Sequence, residues 1–462
     1  MALTHYQSKN DIRLQFTQAM SKMYQREVPL YKTLKSIASN VNANTLKTGH
    51  EITRSESQLL SLEHHGAIRV GTADELSTLR RLFAVMGMHA VDYYDLNIAG
   101  IPVHSTAFRP THSEDINKSP FRVFCSLLRL ELIENSQIRT KAAKILKQRQ
   151  IFSADLLNLI ELSEIQNGLT LDEAQQFTEK SLEVFRWHHQ STVDLNTYET
   201  FKKEHGLVAD IVSFKGPHIN HLTPKVLDID ACQKQFIQQG IKAKAFVEGP
   251  PKRNCPILLR QTSFIAKAEH IRFTDNKEGT HTARFGEVEQ RGIALTLAGR
   301  KLYDKLLEVA KSDDSKKAYE KRLIDAFTEF PDSYKAMRQQ GLAYFKYSTA
   351  LTKKELIDVD NSMYAAKMDV IDHLIEQGVI NVKPINYEDF LPVSAAGIFT
   401  SNLATSSKKL NQSSAKTISL EQSSKALFEK ALGCKTMNSF DLYEEIQNAS
   451  LSETLVTLGI SV

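Results

Sequence analysis

Cysteine is scarce in this 462-residue chain. There are four, Cys125, Cys232, Cys255 and Cys434. No two form a CxxC pair, which argues against a cysteine zinc knuckle, and their separation fits reduced thiols in a cytoplasmic protein. Long apolar runs are missing too. No stretch of 18 apolar residues occurs, and Met1 to Arg13 has no apolar signal core, so neither a membrane span nor a secretory signal is expected. Charge is close to balance: 58 basic and 54 acidic side chains leave +4, which gives no support for nucleic acid as a partner. The sequence contains no GxxxxGK[ST], no GxGxxG after a strand, no HExxH and no GxSxG. Phosphate-loop, dinucleotide, zincin and serine-hydrolase readings therefore have no footing. The remaining composition, 42% hydrophobic and 24% charged, is that of a folded globular chain, and the length suggests two or three domains.

Periodicity predicts an α+β class. Ile12, Phe16, Met20 and Met23 recur at helical spacing over 10–40, with Pro29 as an interruption. A second helix opens at Thr72, with Glu75 placed for a capping box and Leu76, Leu79, Leu82, Phe83 and Met86 as its apolar stripe. Ile101–Phe108 reads as a strand. Residues 120–205 read as helical, with Phe121, Phe124, Leu127, Leu128 and Leu132 as one stripe and a capping box at Thr170 and Glu173. From 206 to 300, short apolar or alternating runs, Val208–Phe214 and Thr282–Val288 among them, are split by Pro and Gly. Helix returns over 301–345. The Ser-, Asn- and Lys-rich stretch 401–424 reads as a mobile loop before a helix at 425–432. The resulting division is 1–119, N-terminal helices and the first half of a core; 120–205, a helical insertion; 206–400, the second half; and 401–462, loop and C-terminal helices.

Three stretches could carry chemistry. Gly216–Pro224 contains His218 and His221 in a Pro-bounded segment, and a neutral imidazole offers a lone pair to a metal. Gly279–Gly292 reads as one strand with His281, Phe285, Glu287, Glu289 and Arg291 on a single face, unless a bulge at Gly286 resets the parity. Carboxylates crowded there make sense beside a cation; the bland alternative is an exposed charged edge. Pro102–Pro110 holds His104 and Arg109, and a lone His in an apolar strand is more often a core residue than a ligand. Two His and one carboxylate on one face of a metal leave open positions, as in Fe(II) oxygenases, and arginines nearby suit a substrate with carboxylates. The adjacent pairs His64–His65 and His188–His189 are set aside, because neighbours in a helix or strand point apart.

At these stretches, and at four more in the same order, the chain resembles the 2-oxoadipate dioxygenase/decarboxylases, also called hydroxyglutarate synthases. The likeness runs through Glu63–Thr72, Leu79–Gly87, Val103–Pro110, the HINHLTP stretch with Asp228–Asp230, Leu258–Ser263, the FGEVEQRG stretch and Phe390–Phe399. It implies a vicinal-oxygen-chelate-like mixed sheet elaborated with helices. It implies Fe(II) held by two His and one Glu, and conversion of 2-oxoadipate and O2 to 2-hydroxyglutarate and CO2, a step of lysine breakdown. Matched segment by segment, the ligands fall on His104, His221 and Glu289, with His218 and Glu287 as close competitors. Arg109 falls where a catalytic arginine holds a substrate carboxylate, and Val393 and Ser394 fall where the substrate pocket is lined. The same ligand types would also suit a zinc-dependent hydrolase or a non-catalytic dicarboxylate-binding metalloprotein.

Overall fold

A computed structural model describes residues 5–49, 52–266, 268–312, 318–350, 367–391 and 414–460. Its strands are β1 (Glu63–Val70), β2 (His89–Asp95), β3 (Val103–Arg109), β4 (Arg122–Leu128), β5 (His221–Pro224), β6 (Leu259–Ser263), β7 (Glu269–Arg272), β8 (Glu278–His281), β9 (Glu287–Arg291), β10 (Phe345–Thr349) and β11 (Ile380–Pro384). No helix among the described residues is long and apolar enough to cross a membrane.

The central sheet has the order β2-β3-β4-β1-β5. Strand β1 runs parallel to β4 and antiparallel to β5, and β3 is antiparallel to both β2 and β4. The helix Ala73–Val85 supplies the crossover that a parallel pair requires. This is the mixed α+β core expected above. Thr72 caps the crossover helix by accepting from Glu75 N–H at 3.2 Å. The Glu75 carboxylate accepts instead from Gly71 N–H and from Arg149, so the box is only half formed. At Thr170 both halves are present.

Two expected helices or strands change type. Arg122–Leu128 is a strand, not the start of the helical block, which begins at Ser136. Phe121, Phe124, Leu127 and Leu128 fit a period of 3.6, but Val123, Cys125 and Leu127 also fit a period of two, and sheet pairing decides. Conversely, the apolar run expected as a strand at 208–214 is mostly the helix Gly206–Val212, capped by His205, whose Nδ1 accepts from Leu207 N–H. Helix occupies Ser414–Leu432, so the expected loop over 401–424 is helical from 414, and 401–413 lie outside the described residues.

The chain divides into two compact units. The first is Met1–Glu248, Arg260–Gln290 and Phe390–Met437; the second is Gly249–Leu259, Arg291–Asp389 and Asn438–Val462. In the first, one face of the sheet (Ile68, Val70, Phe108, Val123, Cys125, Leu127) packs into a core with Phe16, Met20, Tyr24, Tyr31 and Leu34 of the helices Lys9–Glu27 and Pro29–Lys47. Pro29 takes the first turn of the second helix, where its missing N–H is harmless. A smaller core gathers around Trp187, Tyr198, Phe201 and Phe273.

In the second unit, β10 and β11 form an antiparallel pair. Gly292 there has no room for a side chain: a Cβ would lie 2.2 Å from the Pro256 carbonyl carbon and oxygen. Both are backbone atoms, so relief requires moving the chain. Gly292→Ala is expected to destabilise the protein by about 1–3 kcal/mol, read as a lower urea midpoint at unchanged m-value.

Candidate metal centre

Strand parity selects the residues that can meet. His65 pairs with Arg122 and with Thr223, Ala67 pairs with His221, Phe124 pairs with Ala107, and Ser126 pairs with Ser105. Directly paired residues share a face, and so do residues two apart. One face of the sheet therefore carries His65, Arg69, Ser105, Arg109, Arg122, His221 and Thr223. His104, one residue out of step with Ser105, lies on the other.

On the first face His65 is fully buried, with a carboxylate on each ring nitrogen. Nδ1 lies 2.6 Å from Glu289 Oε2 and Nε2 lies 2.9 Å from Glu287 Oε1. Burial opposes a charged ring, but Glu289 and Glu287 outweigh it and raise the His65 pKa. Glu287 Oε1 also accepts from Gln261 Nε2 at 2.7 Å and Thr223 Oγ1 at 3.3 Å. Burial would raise the Glu287 pKa, yet His221, His65 and Lys244 together lower it. His221 stands with its ring edge-on to that of His65, centroids 5.3 Å apart, and Nε2 3.9 Å from Glu287 Oε1. Burial holds its imidazole down to about 3, against the pull of Glu287. It is thus a neutral donor.

Ligand atoms of His65, His221 and Glu287 lie within 4.8 Å of one another, close enough to share one ion. His221 Nδ1 is buried with no hydrogen-bond partner among the described residues. Two imidazoles with two buried carboxylates form a donor set for a divalent transition metal. On those grounds the residues fit an Fe(II) centre.

The structure does not bring His104 to this group. It is buried against Phe428, centroids 4.7 Å apart, with Tyr93 Oη 3.5 Å from Nδ1. Burial, helped by Arg129, lowers its pKa to about 3. It is a core histidine, and the parity of β3 is the reason. His65, set aside above with its neighbour, stands at the centre instead. The adjacent-pair argument excludes both members binding one ion; it does not exclude one.

Arg109 lies on the His65 face, as do Arg69 and Arg122. Val393 and Ser394 lie outside the described residues. The chain approaches them through Phe390, whose ring meets that of His65 edge-on at 5.0 Å.

The expected continuous strand 279–292 is broken at 282–286. His281 therefore belongs to β8 and Glu287 to β9, and the two histidines His218 and His281 serve a different cluster. His281 Nε2 donates to Asp210 Oδ1 at 2.8 Å, and His281 Nδ1 meets Tyr198 Oη at 2.8 Å. Arg69 Nη1 donates to Asp210 Oδ2 at 2.8 Å, and His218 Nε2 is 3.6 Å from Asp210 Oδ1. Burial alone would raise the Asp210 pKa, but His218, His281 and Arg69 drive it well below the usual carboxylate range.

A depressed carboxylate pKa stabilises the fold above the unfolded value, near 4, and loses that contribution as pH falls. Asp210→Asn is expected to cost about 3–5 kcal/mol at neutral pH, as when one partner of a buried charge pair is removed. The gap to wild type should narrow below about pH 4, which urea melts at several pH values would show.

Comparison with known proteins shows the family. The family model for 2-oxoadipate dioxygenase/decarboxylase matches residues 16–402. The chain is 50% identical over 446 residues to the 2-oxoadipate dioxygenase/decarboxylase of Escherichia coli K12, covering 96% of this chain and 97% of that one. It is 47% identical over 474 residues to the protein of that name from Pseudomonas putida, covering 100% and 99%. A crystal structure of the P. putida hydroxyglutarate synthase in complex with 2-oxoadipate superposes with a TM-score of 0.86 at 46% identity, covering 98% of this chain and 99% of that one.

Proposed function

Since the chain belongs to the 2-oxoadipate dioxygenase/decarboxylase family, we propose that it converts 2-oxoadipate and O2 to 2-hydroxyglutarate and CO2 at Fe(II) held by His65, His221 and Glu289. The observation that carries this reading is the buried meeting of two imidazoles and two carboxylates on one face of the sheet. Bound there, Fe(II) would supply chelation of the 2-oxo acid and activation of O2.

The two carboxylates divide the work. Glu287 reaches both imidazoles, but its Oε1 already accepts from Gln261 and Thr223, bonds that an ion would have to displace. Glu289 is the carboxylate closer to His65, 2.6 Å from Nδ1, with Arg122 Nη1 3.9 Å from its other oxygen, and we assign it to the ion together with His65. Glu287 then stays as the anchor that orients His65, the usual part of a carboxylate behind a metal-bound histidine.

Arg109, Arg69 and Arg122 put positive charge on the face the dicarboxylate would occupy. A guanidinium fork accepts a carboxylate in one geometry and holds it. Arg109 is assigned to a substrate carboxylate, and Val393 and Ser394, just beyond Phe390, to the pocket wall. Such fixing places the reacting carbons and excludes water. A cytoplasmic place in lysine breakdown suits a chain with four free cysteines.

Anaerobic protein loaded with Fe(II), then given 2-oxoadipate and O2, is expected to consume O2 and release equimolar 2-hydroxyglutarate and CO2. Product from zinc-loaded protein without O2 would overturn the assignment. His65→Ala, His221→Ala and Glu289→Ala should each lose the metal, measured by elemental analysis, whereas His104→Leu should retain it. Glu287→Gln should keep the metal but weaken it about 10–100-fold; the reverse order of the two glutamates would exchange their roles. Arg109→Ala should raise KM for 2-oxoadipate about 10–100-fold, the worth of a charge-assisted hydrogen bond.

A further inference from the structure

The ligands proposed above sit on strands that are far apart in sequence; β5 and β9 do not share a sheet, and a single parallel bridge, Lys225 to Glu289 with Val226 N–H donating to the Glu289 carbonyl at 2.8 Å, joins them beyond His221. That bridge lies after His221 and at Glu289 itself, so the segment before His221 and the segment before Glu287 need a contact of their own. One backbone bond does part of this: Phe285 N–H donates to Asn220 carbonyl oxygen at 3.1 Å. Over that bond sits a side chain from the N-terminal helix Lys9–Glu27. Tyr24 is fully buried, and its hydroxyl lies 2.9 Å from the Asn220 carbonyl oxygen and 2.7 Å from that of Phe285. Asn220 precedes His221, and Phe285 lies two residues before Glu287. One hydroxyl proton is thus shared by the backbones of both ligand-bearing segments.

Independent features show that this contact is built. Gly286, between Phe285 and Glu287, has no space for a Cβ, which would lie 2.4 Å from the Phe264 ring and 2.9 Å from each of Tyr31 and Leu34 of the helix Pro29–Lys47. The turn is pressed onto the helical hairpin. Tyr24 meets Tyr31 edge-on at 5.0 Å, and the Tyr31 hydroxyl donates to Glu63, two residues before His65 on β1. Arg284, next to Phe285, is anchored to Glu27 at the end of the Tyr24 helix by a 2.6 Å ion pair. Burial raises the Tyr24 pKa, so the hydroxyl keeps its proton and remains a donor.

We infer that Tyr24 is a positioning residue for the metal centre: by donating to the Asn220 and Phe285 carbonyls, it sets the separation of His221 from the β9 carboxylates and so the affinity and geometry of the bound ion. This rests on the ligand set of the proposed function. Tyr24 touches neither metal nor substrate. Its effect passes through two backbone segments, and a misplacement of a fraction of an ångström at a ligand is felt directly in metal binding.

The test is titration of the metal-free full chain with Co(II), following both affinity and the visible ligand-field spectrum. Tyr24→Phe removes only the hydroxyl. It should weaken Co(II) binding about 10–100-fold, the range for groups that orient ligands, and change the spectrum. A merely structural role would lower the urea midpoint of the metal-free protein and leave Co(II) affinity and spectrum unmoved; that result overturns the inference. If the void left by the hydroxyl prevents folding, 4-fluorophenylalanine at position 24 fills the space without a proton and must give the same loss. Incorporating 4-aminophenylalanine, which restores a donor, should recover affinity and spectrum; failure of that folded variant to do so also overturns it. His221→Ala separates the two levels. If it binds Co(II) like wild type, the ligand assignment fails; if it loses Co(II) while Tyr24→Phe does not, only the positioning role falls.

Discussion

An imidazole sealed from water with a carboxylate on each nitrogen is a demanding arrangement. Two anions and one ring buried together carry a net negative charge unless something positive joins them, and a buried unpaired charge costs several kcal/mol or shifts its proton equilibrium. Around His65 the protein answers in part with its own cations. Arg122 Nη1 stands 3.9 Å from Glu289 Oε1, and Lys244, paired with Glu248, lowers the Glu287 pKa. A divalent ion would complete the compensation. The polar face of the sheet is organised around that balance, and the apolar face can be as oily as any core because the demand is met on one side only.

The two faces come from one sheet by alternation. On β3, Ser105 and Arg109 look to the site while His104 and Phe108 look into the helical core. On β4, Arg122 and Ser126 look one way and Val123, Cys125 and Leu127 the other. A one-residue slip would turn Arg109 of β3 or Arg122 of β4 into the helical core and bring Phe108 or Val123 to the site. The parallel β1–β4 pairing fixes that register across six consecutive residue pairs.

Much of this was legible in the chain itself. The N-terminal helices, the crossover helix with its Thr72 cap and the strand at 103–109 follow from periodicity and end signals. Two of the stretches that meet at the site, Gly216–Pro224 and Gly279–Gly292, were also singled out, because paired carboxylates and clustered histidines are costly without a purpose; the His64–His65 pair was set aside. Two things were not legible. The face on which a strand residue falls depends on its pairing partner, so His104 and His65 could not be sorted from spacing alone. Nor could the break at 282–286, since the alternation of Thr282–Val288 is as good as that of a continuous strand; the tight packing of Gly286 against Tyr31 and Leu34, which interrupts it, is a contact across the fold. The glycine itself was the one available hint.

The contact between His65 and Glu289 joins residues 224 positions apart. During synthesis, therefore, no fragment that ends before β9 can present the complete donor set, even though the crossover unit β1–β4 has long since left the ribosome. Closing so long a loop adds only modestly to the entropy cost, which grows as the logarithm of length, but it does fix the order of events. Capture of the proposed metal would come after long-range assembly. An ion that binds only the assembled chain would stabilise it by mass action, so the supply of such a metal would also act on how much of this protein stays folded.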